Sequence, residues 1–235
     1  KPRQTGKTMI IDKGLGIRAF KDLLETAGAY MDMIKIGFGT SVLYPREILE
    51  QKIQLAKQYS VSILPGGTFL EVAIRQNVIR SFFDVITSLH FDSIEISDGT
   101  IDISKSLRNE LIKRSIDNGL TVYTEYGKKD GTKPIEISEM VEAVYSDLEQ
   151  GAQLVTVEAR ESGVGVGLFD EQGQCQEEDI FSIAQHFPDF GKSMLLWETP
   201  LKSQQSLFIK TLGGDVNLGN IAPQDIIAVE ALRRG

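Results

Sequence analysis

The amino-acid sequence predicts an α/β fold, a single (β/α)8 barrel with residues 1–235 forming one domain. Three observations carry that prediction. Eight short apolar, β-branched runs each end in a cluster of Gly, Lys, Asp or Glu, and a helix-like stretch follows. Near-continuous apolar runs imply strands buried on both faces. The strand–helix alternation implies parallel pairing, which eight units satisfy most simply by closing on themselves. The length of 235 residues agrees, since one such barrel takes roughly 250.

In order, the runs are TMIIDKG (8–14), MIKIGFG (33–39), SILPGG (62–67), SIEISDG (93–99), TVYTEYGK (121–128), LVTVEARE (154–161), MLLWETP (194–200) and DVNLGN (215–220). After the second run, Pro45 to Tyr59 places Ile48, Leu49, Ile53 and Leu55 or Ala56 on one helical face. Pro45 sits near the first turn, where its missing N–H costs nothing. Thr68–Leu89 is helical in pattern but long, and reads as one bent helix or two. Ile103, Leu107, Leu111, Ile112 and Ile116 repeat the stripe until Asn118-Gly119, a C-terminal stop signal. Further stripes run through Ile137, Met140, Val141, Val144 and Leu148, then Ile180, Ile183 and Ala184, and last Ile226, Ile227, Val229 and Leu232. The longest irregular stretch, Ser162–Gln176, is rich in Gly and suggests a lid or a subunit contact. A homo-oligomer is expected of a barrel of this size.

With 33 acidic against 25 basic residues, the net charge of −8 argues against nucleic acid or an anionic membrane surface as partner. No apolar stretch approaches the roughly 18 residues of a membrane span, and no signal-peptide pattern opens the chain. A soluble, cytoplasmic protein is expected. Cys175 is the only cysteine, which excludes an intrachain disulfide and fits a reducing compartment. Its GQCQEED setting reads as a solvated loop thiol.

In such barrels chemistry gathers at the C-terminal ends of the strands. Glu95 and Asp98, Glu125, Glu158 and Glu161, and Glu198 put carboxylates at that end of four consecutive runs. Neighbouring strands lie roughly 4.8 Å apart, so these side chains can converge on one hard cation. Magnesium is the expected cofactor, with Glu95, Glu125, Glu158 and Glu198 as candidate ligands; His90 and His186, near helix ends, give no zinc set. Several of these glutamates could instead pair with Lys and Arg in a salt-bridged rim. Cations interleave with the acids: Lys13, Lys35, Lys128 and Arg160. Such a ring in an acidic protein suits an anionic substrate, although Lys35 could simply pair with Asp12. Of the adjacent Lys128 and Lys129, one is expected to be solvated. The Gly-rich segment Gly213–Ile221, followed by Ala222-Pro223 at a helix start, is the expected phosphate site, with Asn217, Gly219 and Asn220 as binding residues.

Four separated motifs resemble the phosphosulfolactate synthase family: Lys1-Pro2-Arg3 with Gly6-Lys7-Thr8-Met9 and Asp12-Lys13-Gly14, Glu125-Tyr126-Gly127-Lys128, Glu158-Ala159-Arg160-Glu161-Ser162-Gly163, and Val216-Asn217-Leu218-Gly219-Asn220-Ile221. The resemblance implies a magnesium-dependent lyase on a (β/α)8 barrel that joins sulfite to phosphoenolpyruvate, giving (2R)-2-phospho-3-sulfolactate. In methanogens this begins coenzyme M biosynthesis; in spore-forming bacteria it serves sulfolactate. The mechanism follows from charge: sulfite attacks the terminal carbon, charge develops at C2 and spreads into the carboxylate, and C2 then takes a proton. Lys128 is the expected general acid. Arg160 suits the sulfite or carboxylate oxygens, and Lys13 and Lys35 suit sulfite or phosphate. The alternatives are a Schiff-base aldolase using Lys35 or Lys128, and a non-catalytic stress-associated barrel of the same family.

Overall fold

The computed structural model describes residues 4–129, 135–160 and 162–235. Lys1-Pro2-Arg3 of the first motif and the carboxylate Glu161 lie outside the described residues. Eight parallel strands form a barrel of the TIM type: β1 (Thr8–Asp12), β2 (Met33–Ile36), β3 (Ser62–Pro65), β4 (Ser93–Ile96), β5 (Thr121–Tyr126), β6 (Leu154–Val157), β7 (Leu195–Glu198) and β8 (Leu218–Ile221). The helices between them are α1 (Ile17–Ala27), α2 (Arg46–Gln58), α3 (Thr68–Arg75), α4 (Ile79–Ser88), α5 (Lys105–Asp117), α6 (Ile137–Glu149), α7 (Glu177–Ala184), α8 (Lys202–Leu212) and α9 (Ile226–Arg234). No helix among the described residues is long and apolar enough to cross a membrane.

The segment 68–89 is two helices, because the backbone turns left-handed at Asn77 (φ 56°) between α3 and α4. The hydrogen-bonded order runs β3-β2-β1-β8-β7-β6-β5-β4, and the remaining seam between β3 and β4 is sewn by side chains. Asp92 accepts from the Ile63 amide (2.9 Å) and the Ser62 hydroxyl (2.9 Å), and Ser62 and Ser93 share a bond of 2.7 Å. Higher up the seam, the Gly67 amide donates to Glu95 Oε1 at 2.9 Å.

Strand alternation sends every second side chain inward. Met9, Met33, Leu64, Tyr123, Leu154 and Leu196 form the lower interior layer, while the outward set packs against the helices as the larger core. The Ser162–Gln176 stretch is pinned to the barrel rather than loose. Gln204 of α8 donates to the carbonyls of Gly163 (2.7 Å) and Gly173 (3.1 Å), and Phe169 packs on Phe208.

Candidate active site

One step of two residues above the apolar layer, the interior changes character. Met33 is followed by Lys35, Tyr123 by Glu125 and Leu196 by Glu198, with Glu95 on β4 and Glu158 one residue past β6. All five are buried. Lys35 Nζ lies 2.8 Å from Glu198 Oε1, 3.0 Å from Glu95 Oε2 and 3.9 Å from Glu125 Oε2. Asp12 is not its partner: it points outward from β1 to Lys52 of α2, at 2.6 Å. The second oxygens of Glu95 and Glu198 take backbone amides, from Gly67 (2.9 Å) and Ala159 (3.1 Å).

A second lysine, Lys129, closes the cluster from above, 3.1 Å from Glu125 Oε1 and 3.1 Å from Glu158 Oε2. Arg160 follows in a left-handed conformation (φ 57°), its amide donating to Glu158 Oε1 and its Nε to the Lys129 carbonyl. Lys35, Glu95, Lys129, Glu158, Arg160 and Glu198, with Ile11, Phe38, Thr68, Ser162 and Asn220, line a cavity of about 250 Å³, and Glu125 lies buried beside it against Lys35 and Lys129. A second cavity of about 360 Å³ lies behind Ile11 and Asn220, against Lys13, Pro200 and Ala222–Gln224.

The electrostatics are those of an over-acidic pocket. Burial alone would lower the Lys35 pKa, but Glu198, Glu95 and Glu125 outweigh it and hold it above the ordinary value. Lys129 is raised in the same way against burial, chiefly by Glu125 and Glu158. Burial first, then the charges of Glu125 and Glu198, push the Glu158 carboxyl well above the usual carboxylate range. Both Glu125 oxygens and Glu158 Oε2 are buried without a hydrogen-bond partner among the described residues.

No three His, Cys, Asp or Glu side chains are gathered closely enough to hold a metal among the described residues. Magnesium, however, commonly takes one or two carboxylates and completes its shell with water and substrate oxygens. The Glu125–Glu158 pair fits such an ion. Three of its four oxygens, both of Glu125 and Oε2 of Glu158, accept no hydrogen bond, and among the described residues the four carboxylates of the cluster face two ammonium groups. The same charges disfavour a Schiff-base role for Lys35, since a nucleophilic amine needs a lowered pKa. Cys175 is likewise unsuited to attack: burial, then Asp179 and Asp170, push its thiol up to about 11.

The structure brings Lys35, Arg160, Asn220, Glu95, Glu158 and Glu198 to one cavity, buries Glu125 beside it against Lys35 and Lys129, and puts Lys13 in the adjoining cavity. It does not bring Lys128. That ammonium turns away, to the carbonyls of Asp98 (2.7 Å) and Ile101 (2.8 Å) and to Asp102 Oδ1 (2.9 Å). The lysine that enters the cavity is not Lys128 but its neighbour Lys129, three residues past β5. Counting in twos from Glu125 reaches Gly127 and then Lys129, so strand parity was the signal that identifies it.

Asn217 and Gly219 also lie elsewhere than expected. The last strand begins at Leu218 because it must pair with β1 through Thr8–Leu218 and Ile10–Ile221, which leaves Asn217 below the barrel. Its side chain accepts from the Lys7 amide (2.9 Å) and donates to the carbonyls of Lys192 (2.6 Å) and Leu195 (2.8 Å). Gly219 faces the lower interior, where a Cβ would stand 2.7 Å from Leu196 Cδ2 and 3.0 Å from Met9 Cε. Gly219→Val is therefore expected to overpack the barrel by about 1–3 kcal/mol. Asn217→Ala is expected to cost about 1–3 kcal/mol from unsatisfied buried groups. Denaturant melts measure both; a raised KM with unchanged stability would return these residues to a binding role.

The family model described as (2R)-phospho-3-sulfolactate synthase matches residues 1–235. A phosphosulfolactate synthase of Methanothermobacter thermautotrophicus is 40% identical over 100% of this chain and 91% of its own length. One of Methanocaldococcus jannaschii is 41% identical over 99% and 92%. Among solved structures, a 3-hexulose-6-phosphate synthase superposes with a TM-score of 0.58 at 14% identity, covering 97% of this chain and 98% of that one, a likeness of fold alone.

Proposed function

We propose that this chain, which belongs to the (2R)-phospho-3-sulfolactate synthase family, adds sulfite to phosphoenolpyruvate with magnesium as cofactor. The observation that carries the reading is the cavity in which Lys35, Lys129 and Arg160 meet Glu95, Glu158 and Glu198 at the C-terminal end of the barrel, with Glu125 buried beside it against both lysines. Cations serve small anionic substrates there, and the carboxylate pair serves a metal. When bound, magnesium supplies a fixed positive charge against the doubly charged carboxylate that forms as C2 becomes electron-rich.

The rest falls to the protein's own groups. Glu125 and Glu158 would hold the cation, while Glu95 and Glu198, each also accepting a backbone amide, fix the Lys35 ammonium. Arg160 meets sulfite or carboxylate oxygens with its planar fork. The phosphate occupies the adjoining cavity against Lys13, Asn220 and the loop after β8, the usual place for phosphate in such barrels. Sulfite sulfur donates its lone pair to C3 of phosphoenolpyruvate, the C2–C3 π electrons move to C2, and Lys129 delivers a proton to C2 on one face. A lysine held protonated by carboxylates can give up its proton once electron density builds at C2.

In deuterium oxide, the product should carry one deuterium at C2 and none at C3, read by proton NMR. Deuterium at C3 would contradict addition at that carbon.

The buried carboxyl pair gives a pH-dependent test of the cation. Glu158 is raised in the folded chain, so its contribution to stability is present at low pH. That contribution is lost as pH rises from about 4.5 through the raised value. Lys35 and Lys129, raised from 10.5, stay charged in folded and unfolded chains alike across neutral pH and add no slope there. Magnesium should restore what ionisation of Glu158 removes, and so raise Tm more at pH 8 than at pH 5. An equal shift at both, by differential scanning fluorimetry, would separate the ion from this pair.

A further inference from the structure

Lys129 reaches the cavity by an unusual route. Its amide donates to the Gly99 carbonyl at 3.0 Å, and its side chain then runs across the bare face of Gly99. A Cβ on Gly99 would stand 2.8 Å from Lys129 Cγ and Cε and 3.0 Å from Cδ. Gly99 belongs to the loop after β4, and that loop is held from the other side by a carboxylate outside the barrel. Glu71 of α3 is fully buried. Its Oε1 accepts from the Gly99 amide (3.1 Å) and the Ser97 hydroxyl, and its Oε2 from the Thr100 amide (2.8 Å) and the Thr100 hydroxyl. Four donors converging on one buried carboxylate fix the loop backbone that Lys129 lies on.

We propose that Glu71 is a positioning residue for Lys129, acting through the backbone of Gly99. The inference deepens the functional reading and rests on Lys129 as proton donor. Glu71 touches no substrate; it sets the height of the Gly99 ledge, and with it the reach of the Lys129 ammonium between Glu125 and Glu158. Lys128 clamps the opposite flank of the same loop through the Asp98 and Ile101 carbonyls, so this loop is held on both sides of the ledge.

The test is a mutant cycle read in kcat and KM, with a crystal structure of each variant. In Glu71→Gln, whichever side the amide nitrogen takes, the hydroxyl there can turn to accept but the backbone amide of Gly99 or Thr100 meets a second donor, and that side of the loop must move. Gly99→Ala is a second variant that leaves Glu71 intact and places a methyl group where the lysine stem runs. Both are expected to lower kcat by about 10- to 100-fold, the scale of a misplacement near 1 Å, with KM for both substrates changed by less than about threefold. In a Lys129→Met background neither should lower kcat further, because coupled residues are not additive. The crystal structures should show Lys129 Nζ displaced from Glu125 and Glu158. Equal fold-losses in both backgrounds, or Lys129 unmoved in both variants, would overturn the proposal. If Lys129→Met alone left kcat unchanged, the proton-donor reading would fall, and the displacement of Nζ would still decide whether Glu71 positions it.

Discussion

Lys129→Met should lower kcat by about 10²–10⁴, the range for losing a positioned general acid, with the barrel still folded and substrate KM little changed. Lys128→Met should lower kcat by no more than about tenfold. The two substitutions remove the same charge from adjacent positions, so only geometry separates them. Lys129 Nζ lies 3.1 Å from both Glu125 and Glu158, whereas Lys128 Nζ is spent on the carbonyls of Asp98 and Ile101 and on Asp102. Steady-state kinetics on both variants decide the matter. Equal losses would mean a diffuse electrostatic role for this corner, and the reverse order would return the proton to Lys128.

The second large effect concerns the carboxylate pair. Glu125→Gln and Glu158→Gln each keep the side-chain shape and remove one negative charge, so apparent magnesium affinity should fall by more than about tenfold in each. Glu95→Gln should have a smaller effect on the metal, because its oxygens already serve Lys35 and the Gly67 amide. Isothermal titration with magnesium separates the three. Affinity unchanged in both the Glu125 and Glu158 variants would place the ion elsewhere.

Much of this arrangement was legible in the sequence, and the reason is period two. A strand inside a barrel has one parity facing the axis, so Lys35, Glu125 and Glu198 face inward two residues beyond Met33, Tyr123 and Leu196. Parity also identifies Lys129, but only if it is carried past the end of β5 through Gly127, where the backbone turns to φ 124° and the strand has formally stopped. The eighth strand was harder. Val216 and Leu218 alternate with polar neighbours, but the alternation breaks at Gly219-Asn220, where Asn220 takes φ 52° and the pairing with β1 shifts register, so the strand's start is set by pairing with Thr8–Ile10 and by the hydrogen bonds that Asn217 makes beneath the barrel. Glu71 carried no sequence signal at all. It lies on a helix, and its partners come from a loop 26 to 29 residues further along the chain, so only the fold reveals that it holds the β4 loop.

Phosphorus NMR of the folded protein with phosphoenolpyruvate, magnesium and sulfite follows the joining of sulfite to phosphoenolpyruvate in this cavity. The enol phosphate signal should be replaced by an alkyl phosphate signal only when sulfite and magnesium are both present, and Lys129→Met should suppress the conversion. An enol phosphate signal unchanged with every component present, or one consumed equally well without sulfite, would contradict it.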